Sequence, residues 1–304
     1  MKKLLGSDAQ PGIDLHIHST ASDGSLTPSE IMETAVHIGL GAISITDHDT
    51  LAGAVAALSQ GIPPGLGFVM GIEISASPPP GYDISGSVHI LGYGVDPDNT
   101  DLNTHLARLK QAREDRNPRI IAKLGELGMA MNMAELSDIV GDAMAGRPHI
   151  AQLMVKRKFA ESVNDAFDRF LGKNKPAYVH KYRVPMDAAI GAIRNAGGIA
   201  VLAHPYLNGI TEAAAFEKFL MTLKTMGLDG IEAIYPAHTP SVTAEYCRLA
   251  KKYNLLVTGG TDYHGAAAPG IRMGVGRGKL HVPYRVYQNL MDQLTPLRCP
   301  PSAS

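Results

Sequence analysis

Short apolar runs alternate along this chain with segments in which apolar residues recur at helical spacing. The runs fall at 13–18, 42–46, 68–74, 88–93, 199–203, 230–234 and 255–258. Runs this short and rich in Ile and Val predict strands, and their alternation with helical patterns predicts parallel βα units. Helices are expected from Thr27 onward and at 51–59, 185–196, 211–226, 240–253 and 283–293. The first is the best signalled. Thr27-Pro28-Ser29-Glu30 is a capping box with proline at the first helical position, after which Ile31, Ala35 and Ile38 share a face. Gly39, Gly197 and Gly227 read as helix stops.

The rhythm breaks between Asp98 and Arg183, where helical patterns follow one another without a strand. This predicts an α/β domain made of residues 1–97 and 184–304, with 98–183 as an inserted, mainly helical subdomain. The insertion holds 15 Lys or Arg against 11 Asp or Glu, whereas the remainder holds 13 against 18. An ordinary solvated helical surface accounts for that split, and so does a basic lid over an acidic mouth that receives an anionic substrate.

With 304 residues, 45% of them hydrophobic, the chain can bury a full core. A net charge of -1 gives no field for long nucleic acid or a membrane surface. Cys247 and Cys299 lack CxxC spacing, so no disulfide framework is expected. Lys2 and Lys3 are followed only by Leu4 and Leu5 before Gly6, too short for a signal peptide, and no run approaches a membrane span. A cytoplasmic protein is expected.

The polar residues at the ends of the apolar runs carry the chemistry. Side chains alternate in a strand, so His16 and His18 share a face while Leu15 and Ile17 take the other. At or just beyond the later runs stand Asp23, His48, Glu73, His89, His204, Asp262 and His264. His37 and His105, by contrast, lie in helical patterns. In a barrel of parallel strands the carboxyl ends share one mouth, so these nine nitrogen and oxygen donors would converge there. Such donors suit Zn²⁺, Mn²⁺ or Fe²⁺ and not iron–sulfur clusters. Nine are too many for one ion; three ions with three ligands each would keep open positions, with Glu73 as the natural bridge. Asp14, Asp47 and Asp49 lie beside these donors and are expected to stand behind them, orienting imidazoles.

The segments Asp14-Leu15-His16-Ile17-His18-Ser19, Ser22-Asp23-Gly24, Ile45-Thr46-Asp47-His48-Asp49, Gly71-Ile72-Glu73, His89-Ile90-Leu91-Gly92-Tyr93, Ala203-His204-Pro205 and Thr261-Asp262-Tyr263-His264 together resemble the polymerase and histidinol phosphatase (PHP) superfamily. Within it the chain is most similar to the stand-alone phosphoesterases of nucleoside 3′,5′-bisphosphates and short RNA. The resemblance implies a distorted (β/α)7 TIM-like barrel. It also implies that His16, His18, Glu73 and Asp262 hold one ion, Glu73, His89 and His204 a second, and Asp23, His48 and His264 a third.

A metal cluster acidifies bound water and clamps the attacking and leaving oxygens of a phosphoryl group, so a metal-bridging hydroxide is the expected nucleophile. Arg147 and Lys175, in segments that also resemble the subfamily, are expected to bind a second phosphate of the substrate. His238, beyond the run at 230–234, is a candidate general acid or phosphate contact. The expected reaction is removal of the 3′-phosphate from a nucleoside 3′,5′-bisphosphate, with 5′-to-3′ trimming of short RNA next and histidinol phosphate after it. Amidohydrolase chemistry ranks lower, because a modified Lys usually bridges its metals where Glu73 stands here. A non-catalytic binding module would have lost ligands, and none of the nine is missing.

Overall fold

Each of these apolar runs becomes a strand in the computed structural model, which describes residues 12–82, 84, 86–141 and 145–298, the last three as backbone only. Lys2, Lys3, Leu4, Leu5 and Cys299 lie outside the described residues. β1 (Ile13–Ile17), β2 (Ala42–Ile45) and β3 (Gly67–Phe68) form a parallel three-stranded sheet. The run at 68–74 does not remain one strand. It breaks at Val69-Met70, and β4 (Gly71–Ser77) starts a second sheet. Gly71 permits the crossing, since a β-carbon there would stand 2.2 Å from the Ser44 hydroxyl.

The second sheet has six strands in the order β6-β4-β5-β7-β8-β9, with β5 at His89–Tyr93, β6 at Val184–Pro185, β7 at Ile199–Leu202, β8 at Gly230–Ile234 and β9 at Leu256–Gly259. The expectation of parallel strands fails at β5, which runs antiparallel to both β4 and β7. Its connection from β4 is too short for a helical crossover and runs through Pro78-Pro79-Pro80-Gly81, so the chain turns back on itself. His89 therefore opens β5 where other donors end their strands, and the reversal carries it to the same mouth. The hydrogen-bonded ladder is two sheets and not one closed cylinder. They meet at single bridges, Ile17 with Tyr263 on one side and His48 with Glu73 on the other.

Around the sheets pack α1 (Pro28–His37), α2 (Ala52–Gln60), α7 (Met186–Asn195), α8 (Ala213–Thr225), α9 (Pro240–Lys252) and α10 (Tyr284–Arg298). The capping box of α1 forms in both directions, and Ile31, Met32 and Ala35 are buried. Each such large side chain contributes roughly 1.5–3 kcal/mol. Ile38 differs from expectation: it falls at the helix cap and is exposed, because the helix ends one residue earlier. Gly39, Gly197 and Gly227 all take the left-handed backbone that ends a helix.

Between β5 and β6 the chain is helical: α3 (Thr100–Glu126), α4 (Met133–Val140), α5 (Arg147–Lys156), α6 (Val163–Ala166) and a π-helical turn at Phe167–Leu171. One apolar cluster, including Ile120, Leu124, Leu136, Ile150, Leu171 and Val179, is built wholly from this segment.

Candidate metal centre

The nine donors named from the sequence all arrive at one mouth. His16 and His18, two residues apart on β1, place their rings 5.2 Å apart with both residues fully buried. His18 Nε2 lies 3.1 Å from Asp262 Oδ1 and 3.3 Å from Glu73 Oε2. His16 Nε2 reaches the same two oxygens at 3.4 and 3.5 Å. Glu73 is the hub: its Oε1 lies 2.7 Å from His89 Nδ1 and 2.8 Å from His204 Nε2, and its Oε2 2.8 Å from His48 Nδ1. A third group collects His18, Asp23, His48 and His264, with His264 Nε2 at 3.3 Å from Asp23 Oδ1. His18 thus stands between two groups, a sharing that the sequence reading did not anticipate.

Donor atoms here are short of partners. Among the described residues, His16 Nε2, both ring nitrogens of His18, Asp23 Oδ1, His48 Nδ1, Glu73 Oε2 and His204 Nδ1 are buried without a hydrogen bond. Orphaned buried polar atoms cost about 1–3 kcal/mol each, and seven of them among these donors fit divalent ions in their chemistry. Burial alone would raise the Glu73 carboxyl, yet His48, His89 and His16 hold it well below the usual range. Asp262 is likewise raised by burial and more than offset by His16 and His264. His89 is pushed down to about 4, chiefly by burial. The cluster therefore offers ionised carboxylates.

Local backbone devices aim these side chains. His204 and Asp262 occupy left-handed conformations, φ 26° and 55°, that non-glycine residues rarely adopt. The Asp23 loop is tied down by Asp47, which accepts from Ser19 N–H at 2.8 Å, the Ser19 hydroxyl at 2.6 Å and the Ser22 hydroxyl at 2.6 Å. Gly24 closes that loop where a β-carbon would sit 2.1 Å from the His18 carbonyl oxygen.

The three carboxylates expected to orient imidazoles do other work. Asp47 holds the loop just described. Asp14 accepts from the N–H groups of His16, Thr261 and Gly274 and from the Thr261 hydroxyl, and burial lifts its pKa to about 6 against those bonds. Asp49 accepts from Ser75 N–H at 2.7 Å, the Ser75 hydroxyl, Lys181 Nζ at 2.9 Å and the Arg113 guanidinium. It faces cations because the left-handed turn at Asp49, φ 60°, swings it away from His48 toward α3. Outside the nine donors, a carboxylate that does bond one of their imidazoles is Glu232, at 2.9 Å from His16 Nδ1, which the sequence reading missed. Its one signal was a charge inside the apolar run at 230–234.

Two cavities border the mouth and share Phe167. One, about 310 Å³, is lined by Asp23, Tyr235, Asp262 and His264; the other, about 630 Å³, by Arg147, Tyr178, His180, Tyr182 and Arg183. Arg147 donates to the Leu171 carbonyl and lies over the rings of Phe167 and Tyr178. Lys175 is exposed and lines neither cavity. Of the cations in this region Arg113 and Arg116 are buried and Lys181 is partly buried, its side chain 11% exposed. Among the described residues Arg116 bonds no carboxylate: Nη2 donates to Asn117, and Nε is buried without a partner. Burial, with Arg113 and Arg147 adding to it, lowers its pKa to about 9. His238 lines neither cavity; its Nδ1 lies 2.9 Å from the Ala233 carbonyl, and the rings of Tyr206, Tyr235 and Tyr246 surround it. Tyr235 is the residue at the mouth, its hydroxyl donating to Asp262 at 3.0 Å.

A family model described as PHP domain matches residues 14–176. The chain is 32% identical over 83% of its length, and 89% of the relative's, to a 5′-3′ exoribonuclease of Haemophilus influenzae. It is 31% identical over 85% of its length, and 88% of the relative's, to a 3′,5′-nucleoside bisphosphate phosphatase of Chromobacterium violaceum. Among solved structures it is similar to a protein of Bifidobacterium adolescentis proposed to be a metal-dependent phosphoesterase, with TM-score 0.82 and 29% identity, covering 93% of this chain and 96% of that one. No helix among the described residues is long and apolar enough to cross a membrane.

Proposed function

The chain belongs to the PHP domain family of metal-dependent phosphoesterases, and from that premise we propose that it removes the 3′-phosphate of nucleoside 3′,5′-bisphosphates at a three-ion centre. One ion takes His16, His18, Glu73 and Asp262, a second Glu73, His89 and His204, and the third Asp23, His48 and His264. The two sheets and their bridged seams are read as a distorted (β/α)7 barrel, and residues 98–183 as its basic lid. The observation that carries the substrate reading is the cation-lined cavity beside the acidic cluster, where Arg147, Lys173 and Arg183 stand with the rings of Phe167 and Tyr178. A substrate with one phosphate at the ions and another at these guanidinium groups, its base against Phe167 or Tyr178, uses both sites.

Divalent ions bound there would supply Lewis acidity, acidifying a water and neutralising charge on phosphoryl oxygens. This chain's residues supply the rest. The carboxylates of Asp23, Glu73 and Asp262 stay ionised among the imidazoles, fixing the charge of the site. Asp47 and Gly24 hold the Asp23 loop against His18. Tyr235 keeps Asp262 turned toward His16 and His18 and forms one wall for the leaving group. Arg147 takes the second-phosphate role, with Arg183 and Lys173 on the same cavity wall and Lys175 outside it. His238 supports Tyr235 from behind, and its ring is bonded to backbone.

A second reading, 5′-to-3′ trimming of short RNA, is favoured by the same cavity. Tyr82, Phe167, Tyr178 and Tyr182 offer stacking faces near the cations, and stacking is worth about 1–3 kcal/mol per base. The deciding assay strips the protein with chelator, restores Mn²⁺, and follows phosphate or nucleotide release from adenosine 3′,5′-bisphosphate, AMP, histidinol phosphate and a 5′-phosphorylated short RNA. Turnover of the bisphosphate well above AMP is expected. Mononucleotides released from the RNA faster than phosphate from the bisphosphate would favour the second reading. Turnover of none by the metal-loaded protein would refute both.

A further inference from the structure

Glu232 lies in the middle of β8, fully buried, in the run Gly230-Ile231-Glu232-Ala233-Ile234. A buried carboxylate is destabilising unless its oxygens are satisfied, and replacing it by an apolar residue is commonly neutral or favourable to folding. Among the described residues no Lys or Arg is bonded to it. Its two oxygens instead divide between β1 and the turn after β7: Oε1 lies 2.9 Å from His16 Nδ1, and Oε2 accepts from the His204 backbone N–H at 2.7 Å.

Both contacts bear on donors. A carboxylate bonds an imidazole nitrogen only when that nitrogen carries the proton, so Glu232 places the His16 proton on Nδ1. Nε2 is then left with its lone pair, buried, without a hydrogen bond, and facing Asp262 and Glu73. The second contact holds the backbone of His204 in a left-handed conformation, φ 26°, from which its ring meets Glu73 Oε1. His16 belongs to one ligand group and His204 to another. The register of β8 against β9 is irregular between Glu232 and Ile234, so the strand is bent where this carboxylate turns inward.

We propose that Glu232 is a positioning residue that sets the tautomer of His16 and the backbone of His204 together, and so couples two metal sites from beneath. The inference rests on the reading of the cluster as a metal centre.

The test is Glu232→Gln. The amide oxygen can still accept from His204 N–H, but the NH₂ group then faces His16 Nδ1 and favours the tautomer with the proton on Nε2, which blocks the donor atom. Titrating the chelator-stripped proteins with Mn²⁺ and with Zn²⁺ should show at least one ion bound 10–100-fold more weakly by the variant, the usual range for such partners. Its circular dichroism should match the wild type. Glu232→Asp should recover part of the loss. A folded Glu232→Gln protein with unchanged affinity for every ion overturns the proposal.

The wild type provides a second measurement that needs no variant to fold. In ¹⁵N-histidine spectra of the Zn²⁺-loaded protein, with His16 assigned by its loss in His16→Asn, the proton should reside on Nδ1; a proton on Nε2 overturns the proposal. Wild-type protein that binds ions but cleaves none of the four substrates refutes the proposed reaction and leaves this inference standing. Wild-type protein that binds no ions refutes the metal centre itself.

Discussion

Lys181 should weaken the fold at neutral pH, although it sits in an ion pair. Its amine is buried, and burial, reinforced by the nearby Arg113 charge, lowers its pKa from 10.5 to about 7 despite the Asp49 carboxylate at 2.9 Å. The unfolded chain keeps that proton until about pH 10.5, whereas the folded protein releases it from about pH 7. Between those values the unfolded state binds more protons, so stability rises with pH by up to about 1.36 kcal/mol per pH unit. From pH 7 to pH 9 the gain is about 2 kcal/mol, because half of the folded molecules still carry the proton at pH 7. Lys181→Met removes this dependence. Urea unfolding of both chelator-stripped proteins, followed by circular dichroism at pH 7, 8 and 9, should show the wild type gaining about 2 kcal/mol relative to the variant. A difference that does not change with pH, or one in which the wild type gains as pH falls, would refute the reasoning. The second result would mean that Asp49 pairs with a charged Lys181 and that Arg113 alone does not satisfy it.

Asp49→Asn tests the other side of that pair: it strands Arg113 and Lys181 without a carboxylate and should cost about 3–5 kcal/mol in the same unfolding assay at pH 7. Arg147→Met should raise KM for the bisphosphate about tenfold and leave an aryl phosphate little changed, and Arg116→Met should raise the unfolding midpoint of the substrate-free protein, a gain of about 1 kcal/mol or more. A lower midpoint in that variant would contradict the unpaired charge. Gly24→Ala forces its new methyl into the His18 carbonyl, so the Asp23 loop must shift; isothermal titration should show one fewer ion bound or a tenfold weaker one, with helix content unchanged.

The donor set was legible because its residues stand at strand ends, where the break from apolar to polar is abrupt. Reading the strands as parallel was wrong at β5, yet His89 still converged, because reversing a strand exchanges its ends without moving the mouth. What sequence patterns did not reveal were the partners behind that set. Asp14, Asp47 and Asp49 adjoin donors in the chain, but their turns send them to hydroxyls, backbone and cations, and Glu232, 216 residues from His16, bonds its ring. The cations tell the same story: Lys175 and Lys181 lie six residues apart in an irregular stretch with no periodicity to give direction, and the partly buried one is Lys181. Helical spacing on α3 could have marked Arg113 and Arg116 as neighbours of the apolar face, since they fall in step with Leu102, Leu106, Leu109 and Ile120.

The single bridges between the two sheets carry a consequence for mechanical coupling. A seam made of one bridge opens more readily than a full ladder. Both seams here run through the backbone of the donor segments, Ile17 with Tyr263 and His48 with Glu73. An ion gripped by His18 on one sheet and by Glu73 and Asp262 on the other would span the seams as a rivet spans two plates. Amide exchange at His18, Tyr263, Asp49 and Glu73 should therefore slow on metal loading far more than exchange deep within either sheet, and losing metal should loosen the protein first along these two lines.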